Sequence, residues 1–388
     1  MNFTLMLWTI ICSMFLGIPA IYYMYMRRIS QFPWNLNINK DYAPSITIMI
    51  PAHNEEKIIT LKLHNLLRVD YPKEKMQTIL IDDRSTDRTL EKAKNFINEK
   101  YNLDLILLSN KEPGGKSKAL NLALQYAKGE IIIVSDADCF WRADILIKAI
   151  PFFSDPSVGA VTGLEEILNP MQTWITKTET FYNDIVHTIR TGESKIHSTI
   201  FFQGGFGAFR RSIFNEFYAE TDDSGTALNI VQKKFRTILV QDAVYFTTFP
   251  NTFKGKFFIK IRRAGSQIKL WAKCLRMFIR RELRLPKRIF LSEAFMYLIN
   301  PIFFIILVGT TLFIMLTEVN FLIIFSILLT LILVNGKSRK LFIEVIQNHL
   351  FLTVALVRFL LKKKKIWKNA DESRSLLSSR TLKREKLI

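Results

Sequence analysis

Apolar positions fall into two regimes, long uncharged stretches towards both ends of the chain and short β-branched runs between them. Residues 1–26 carry no charge and read as one helix roughly long enough to cross a bilayer, with Trp8, Tyr22, Tyr23 and Tyr25 as interface anchors. Arg27 and Arg28 follow at once. A cleaved leader would carry its positive charge before the apolar run and a small-residue site after it, so residues 1–28 read as an uncleaved anchor, with everything beyond them cytoplasmic. From Ser45 the pattern changes. Ser45–Pro51, Thr78–Ile81, Leu105–Leu108 and the run after Gly129 are short, β-branched and apolar, and read as strands. Between them Ile59, Leu63, Leu66 and Leu67 recur at helical spacing, Ser85-Thr-Asp87 offers an N-cap for a helix over 87–100, and Ser117–Ala127 continues the alternation. Strand and helix alternating without internal repeats predict an α/β domain with a mainly parallel, doubly wound sheet.

The far end returns to long apolar segments. Residues 269–290 mix Trp271, Leu275, Met277, Phe278 and Leu283 with many Arg and Lys, the pattern of a basic helix on a bilayer surface. Two uncharged segments, Ala294–Thr317 and Val319–Gly336, make two crossings within 291–336. Leu341–Leu361 holds Glu344, Gln347, Asn348, His349 and Arg358, and a full crossing would strand these in lipid, so 337–368 reads as interfacial or re-entrant. The 369–388 tail is polar and reads as disordered.

Candidate chemistry sits where strands stop. Ala52–Glu55, Asp82-Asp83 and Asp136-Ala-Asp138 each follow an apolar run, and in a parallel sheet such ends line one edge, where open α/β sheets bind ligands. Two carboxylates one residue apart at an apolar strand end call for a cation shared with a second anion, as when Mg²⁺ or Mn²⁺ bridges to a diphosphate. Alone, a D-x-D is an acidic turn; three clusters on one edge are a crevice. No G-x-G-x-x-G follows the first strand, and Gly114-Gly-Lys-Ser117 lacks the upstream glycine of a phosphate-binding loop, which excludes an ATPase of that class.

Composition sharpens this. With 388 residues, 49% hydrophobic and a net charge of +20, the chain is basic and apolar at once. The basic residues crowd at 262–288 and 362–368, beside apolar segments, which suits anionic lipid and speaks against nucleic acid. Cys12, Cys139 and Cys274 form no C-x-x-C pair, so neither a disulfide framework nor a zinc site is implied.

Six motifs in order, Pro51-Ala-His-Asn-Glu55, Ile81-Asp-Asp-Arg-Ser-Thr-Asp87, Gly115-Lys-Ser-Lys-Ala-Leu-Asn121, Asp136-Ala-Asp138, Gly204-Gly-Phe-Gly-Ala-Phe-Arg-Arg211 and Thr221-Asp-Asp223, make residues 45–268 resemble the catalytic domain of membrane-bound family 2 glycosyltransferases. The resemblance implies a GT-A type fold and inverting transfer from a nucleotide-diphosphate sugar, a UDP-sugar first, to a membrane lipid or lipid-linked glycan. It implies that Pro51, Ala52, Glu55 and Asp83 bind the nucleoside with Asp82 alongside, that Asp136 and Asp138 serve the diphosphate and a Mg²⁺ or Mn²⁺ ion, and that Asp223 is the general base. Lys116 is a second cation for the phosphates, and Gly204 and Gly205 allow the backbone close to donor sugar or acceptor. Asp222 stands where the family has Glu, leaving open which of Asp222 and Asp223 acts, and the run around them alone reads equally as an acidic helix cap.

Processive members carry Q-x-x-R-W, whose tryptophan stacks on the growing chain. Here Lys260-Ile-Arg-Arg263-Ala264 stands instead, keeping Arg263 for the diphosphate but not the stacking platform, unless Gln267 and Trp271 supply a displaced one. One-sugar transfer is therefore expected ahead of polysaccharide synthesis. The alternative of another class is a non-catalytic membrane scaffold binding anionic lipid or nucleic acid.

Overall fold

The computed structural model describes residues 3–99, 101, 103–110, 115–217, 222–362 and 371–388. The chain forms two compact units, one of Met26–Asn251 with Ala370–Ile388 and one of Met1–Tyr25 with Thr252–Asn369. Helix α1 (Phe3–Ser30) opens the chain.

The first of these units is an α/β sandwich. Its elements run β1 (Ile46–Ala52), α2 (Ile59–Leu67), β2 (Met76–Asp82), α3 (Thr89–Asn98), β3 (Asp104–Ser109), α4 (Gly115–Leu124), β4 (Ile131–Val134), β5 (Phe140–Trp141), α5 (Ile145–Ala149), β6 (Val158–Ile167), α6 (Trp174–Ile196), β7 (Gly207–Arg210), α7 (Asp222–Gln232) and β8 (Arg236–Thr247). The eight strands form one mostly parallel sheet in the order β3-β2-β1-β4-β7-β6-β8-β5. β1 is buried on both faces, with Ile46, Ile48 and Ile50 on one and Thr47 and Met49 on the other, which is why it reads as an unbroken apolar run. It pairs in parallel with β2 on one side and β4 on the other, so the winding reverses there and the switch point of the sheet lies between β1 and β4.

Two helices shift from expectation. α3 starts at Thr89 and not at 87, because the Asp87 carboxylate accepts from the Thr89 N–H at 3.0 Å and the Glu56 N–H at 3.1 Å, which holds Asp87 outside the helix. α4 spans 115–124, where the sequence predicted 117–127.

The helical unit contains α8 (Phe253–Ile279), capped by the Thr252 hydroxyl, then α9 (Lys287–Ala294), a π-helical turn (Phe295–Ile299), α10 (Asn300–Thr317), α11 (Val319–Val334) and α12 (Gly336–Leu360). By length and composition Phe3–Ser30, Lys287–Thr317 and Gly336–Leu360 are long and apolar enough to cross a membrane, and α11, with 16 residues, is a shorter apolar helix. Within the segment expected as interfacial or re-entrant, Gly336–Leu360 is one unbroken helix of 25 residues. Three of its polar groups, Glu344, Asn348 and His349, find partners inside the unit. Lys256 Nζ bonds Glu344 Oε1 at 2.6 Å, and Asn348 Nδ2 donates to Glu344 Oε2 at 2.9 Å. His349 Nδ1 meets the Val345 carbonyl at 2.7 Å and its Nε2 meets Asn300 Nδ2 at 3.0 Å. The basic stretch expected as a separate helix over 269–290 is divided between the last turns of α8, a break and the start of α9. Trp271 is 2% exposed and stacks on Tyr297, so it offers no displaced platform for a sugar chain.

The tail reverses its expectation. α13 (Asp371–Ser375) and α14 (Ser379–Arg384) are ordered, and Leu377, Leu382 and Leu387 are buried in the same core as Ile58, Leu66 and Trp141. Burial of this apolar surface outweighs the polar composition around it.

Candidate active site

Strand register brings the predicted carboxylates to one edge. Ala52 pairs with Asp82, and Met49 pairs with Val134, so the turns after β1, β2 and β4 emerge side by side. Hydrogen bonds then fix the first two turns to each other. The Asp83 N–H donates to the Ala52 carbonyl at 2.8 Å, and the Ser85 hydroxyl accepts from the Asn54 N–H at 2.9 Å. The Thr86 N–H donates to Asn54 Oδ1 at 2.8 Å. Asn54 takes a left-handed backbone at φ 56°, which asparagine tolerates better than most side chains. Pro51 is half-buried and Ala52 buried at the strand end. Asp82 is buried, and Asp83 Oδ1 accepts from Asn110 Nδ2 at 2.9 Å. Glu55 is buried as well, with its N–H donating to the Thr89 hydroxyl at 2.7 Å.

The D-x-D turn closes the crevice from the β4 side. The Asp136 N–H donates to the Gly204 carbonyl at 2.8 Å, and the Ser135 hydroxyl donates to the Gly205 carbonyl at 3.0 Å. Lys116 Nζ lies 2.7 Å from Asp136 Oδ1 and 3.4 Å from Asp223 Oδ2, tying the start of α4 to the D-x-D and to the start of α7. Gly204 is required by close approach: a Cβ there would stand 2.0 Å from Asp136 Oδ2 and 2.8 Å from Lys116 Nζ. At Gly205 a Cβ would stand 2.0 Å from the Tyr245 ring. Asp222 is the first residue of α7, but its side chain lies outside the described residues, as do Gly114 and Thr221. Arg263 belongs to α8, in the other unit.

Oxygen atoms of Asp136 and Asp138 and the Cys139 sulfur lie within 4.8 Å of one another. Dense surroundings raise the Asp138 carboxyl above its ordinary range, and the neighbouring Asp136 charge adds to the rise, although part of its surface stays accessible. A divalent cation relieves both causes. Burial pushes the Cys139 thiol well up, away from the thiolate a soft metal needs, so the donor set is two carboxylates and fits a hard ion such as Mg²⁺ or Mn²⁺. Burial likewise pushes the Glu55 carboxyl up to about 8, although the Arg374 guanidinium beside it pulls the other way.

Sequence reasoning missed the supports. Lys62 is wholly buried, and its Nζ donates to the Ser135 hydroxyl at 2.7 Å and the Cys139 carbonyl at 2.6 Å, 4.7 Å over the Trp141 ring. Burial lowers its pKa to about 8. One turn on, Asn65 Oδ1 accepts from the Trp141 N–H and its Nδ2 donates to the Trp141 carbonyl, both at 2.8 Å. Together they hold both ends of the turn that carries Asp136 and Asp138. The signal was present: Lys62 and Asn65 are polar residues on the face of α2 that also carries Ile59, Leu63 and Leu66. Arg374, from the tail, was missed for want of any local pattern.

Residues 47–218 match the model of glycosyl transferase family 2. A beta-monoglucosyldiacylglycerol synthase from Nostoc sp. is 37% identical over 134 residues, covering 34% of this chain and 29% of that protein. A poly-beta-1,6-N-acetyl-D-glucosamine synthase from Staphylococcus aureus is 27% identical over 271 residues, covering 67% of this chain and 64% of the relative. Neither match thus reaches two thirds of the relative's length. A mannosyltransferase from Pyrobaculum calidifontis, solved in complex with GDP-Man and Mn²⁺, superimposes with a TM-score of 0.79 at 27% identity, covering 92% of this chain and 99% of that one. The sheet order, the acidic edge and these likenesses agree: residues 47–218 form a glycosyltransferase family 2 domain, and the fold is that of GT-A glycosyltransferases.

Proposed function

We propose that the chain is an integral-membrane, inverting, metal-dependent glycosyltransferase that moves one sugar from a nucleotide-diphosphate sugar to a membrane lipid or lipid-linked glycan. The observation that carries this reading is the meeting of Asp136 and Asp223 on Lys116 at the switch-point edge of the sheet, each within salt-bridge distance of its Nζ. In this reading Asp136 and Asp138 hold a Mg²⁺ or Mn²⁺ ion, which supplies positive charge to the departing diphosphate. Lys116, already on Asp136, meets the same phosphate charge from the other side. The nucleoside lies along Pro51, Ala52, Glu55 and Asp83. Asp223, whose Oδ2 lies 3.4 Å from Lys116 Nζ, takes the proton of the attacking acceptor hydroxyl.

A membrane acceptor is favoured by the helices and by the diacylglycerol named for the Nostoc relative. The packing of 371–388 within the catalytic unit supports a reading with an even number of crossings within 252–369. The continuous α9–α10 segment and the short α11 carry the chain out and back. α12 then lies along the near surface, its Glu344 reaching Lys256 in the first turn of α8 and its His349 reaching Asn300 at the start of α10. Arg27 and Arg28 in the last turn of α1 support a cytoplasmic position for that side. The buried Trp271 favours single transfer over the polymer synthesis of the staphylococcal relative.

The test is nucleotide release by detergent-purified protein from UDP- and GDP-sugars with Mn²⁺ or Mg²⁺ and a diacylglycerol or glycolipid acceptor. Mass measurement of the lipid should give an increment of one sugar. A ladder of products would point to a synthase, and no release from any donor would end the proposal.

A further inference from the structure

The tail takes no part in the mechanism above, yet it is built into the catalytic unit. Leu377, Leu382 and Leu387 are buried in the core that holds Ala137, Cys139 and Trp141. Asn65 Nδ2, which donates to the Trp141 carbonyl, also lies 2.7 Å from the Leu387 carbonyl. The Glu372 carboxylate accepts from the Asn251 N–H at 3.0 Å. A segment anchored at both ends in this way fixes the side chains between its anchors, and Arg374 is one of them. Its Nη2 pairs with Glu55 Oε1 in the turn after β1, and the guanidinium is near enough to Asp138 to act on its charge. Its Nε is shielded from solvent and has no hydrogen-bond partner among the described residues, and neither has Glu55 Oε2.

We propose that Arg374 is a donor-binding residue supplied by the C-terminal segment: Glu55 holds one edge of its guanidinium, and the remaining N–H groups take an oxygen of the nucleoside diphosphate. This rests on the glycosyltransferase reading. A planar guanidinium offers five donors in a fixed fork, and the Glu55 pair uses only one edge of it. A shielded N–H without a partner is costly, and an arriving phosphate oxygen satisfies it with a charge-assisted bond. Burial also keeps Glu55 from fully cancelling the guanidinium charge near neutral pH, so positive charge remains for an anion. In the resting protein the same arginine offsets the crowd of carboxylates.

The experiment is calorimetric binding of UDP and GDP, with MnCl2, to the full chain in detergent, for the wild type, Arg374→Ala and Arg374→Lys, with thermal melting alongside. Arg374→Ala should weaken diphosphate binding about 10- to 100-fold, the worth of a bond to a charged group. Arg374→Lys should recover part of the loss, and the donor KM should rise in step while kcat changes less. Uridine and guanosine, which lack phosphate, should bind all three proteins alike; a matching loss for the nucleosides would overturn the phosphate contact. Unchanged diphosphate affinity in a folded variant would overturn the proposal, and tighter binding would make the segment an inhibitory strap instead. Should Arg374→Ala melt early, Arg374→Lys decides, since it keeps the charge and loses the fork. A wild type that binds no nucleoside diphosphate would remove the functional reading and this inference together, whereas binding indifferent to residue 374 would remove only the inference.

Discussion

Each unit of the chain holds a lysine against carboxylate, and the two settings could hardly differ more. In the helical unit Lys256 and Glu344 are buried at 2.6 Å, with Asn348 taking the second carboxylate oxygen. One charge meets one charge. In the catalytic unit Lys116 faces both Asp136 and Asp223 in a crevice that also gathers Asp138, and these groups are only partly withdrawn from solvent. There the carboxylates outnumber the cations, and burial, with the neighbouring Asp136 charge, raises Asp138. A matched, desolvated pair of this kind stabilises only while both partners remain. An open, mismatched cluster stabilises nothing by itself and is arranged for a charge that arrives from outside. The contrast separates structural ion pairs from binding sites, and it can be pressed.

The largest expected effect is on chemistry at the open cluster. Asp223→Asn should lower kcat by about 10²–10⁴-fold, the usual worth of a positioned base, with the melting temperature unmoved. An unchanged kcat would transfer the role to Asp222 or end it. The opposite signature belongs to the closed pair. Glu344→Gln or Lys256→Met should cost about 3–5 kcal/mol of stability, because each leaves a buried charge without its partner, while the donor KM of the surviving folded protein stays put. Replacing both by apolar residues should recover most of that loss.

Lys62 sharpens the contrast, being a buried lysine with no carboxylate bonded to it. Its pKa is lowered to about 8 from 10.5, so between those values the unfolded chain binds more protons than the folded one and stability rises with pH. In metal-free buffer this contribution should amount to about 3 kcal/mol, and Lys62→Met should flatten that part of the stability–pH curve. A curve identical to wild type would show that the lysine is not desolvated. The smallest effect is expected at Gly204→Ala. Its Cβ would press on Asp136, and the forced shift should weaken metal-dependent donor binding by about 10–100-fold without unfolding the chain.

The sequence was most readable where burial is two-sided. β1 and β4 are apolar without interruption because both faces are covered, and each stops at a polar residue, so the strands and their acidic ends could be read together. The other half of the sheet resists such reading. β5 has two residues, and β8 is broken by the exposed Gln241 and Asp242. How α12 holds its polar groups could not be read from the sequence, because their partners, Lys256 and Asn300, lie far away along the chain. The tail was hidden for a similar reason: Leu377, Leu382 and Leu387 recur every five residues, which matches neither helix nor strand, and only the cavity they fill explains them. The carboxylates themselves were legible, whereas Lys62, Asn65 and Arg374, which hold them in place, gained meaning only from distant neighbours.

The central claim is that Asp136 and Asp138 gather a divalent ion and a nucleoside diphosphate at one sheet edge. Its most direct test is calorimetric titration of UDP and GDP into the purified chain with Mn²⁺ or with EDTA, for the wild type and Asp138→Ala. Binding of at least one nucleotide that requires Mn²⁺ and disappears in Asp138→Ala is the expected result. Binding of equal strength in EDTA, or in Asp138→Ala with the fold intact, would contradict it.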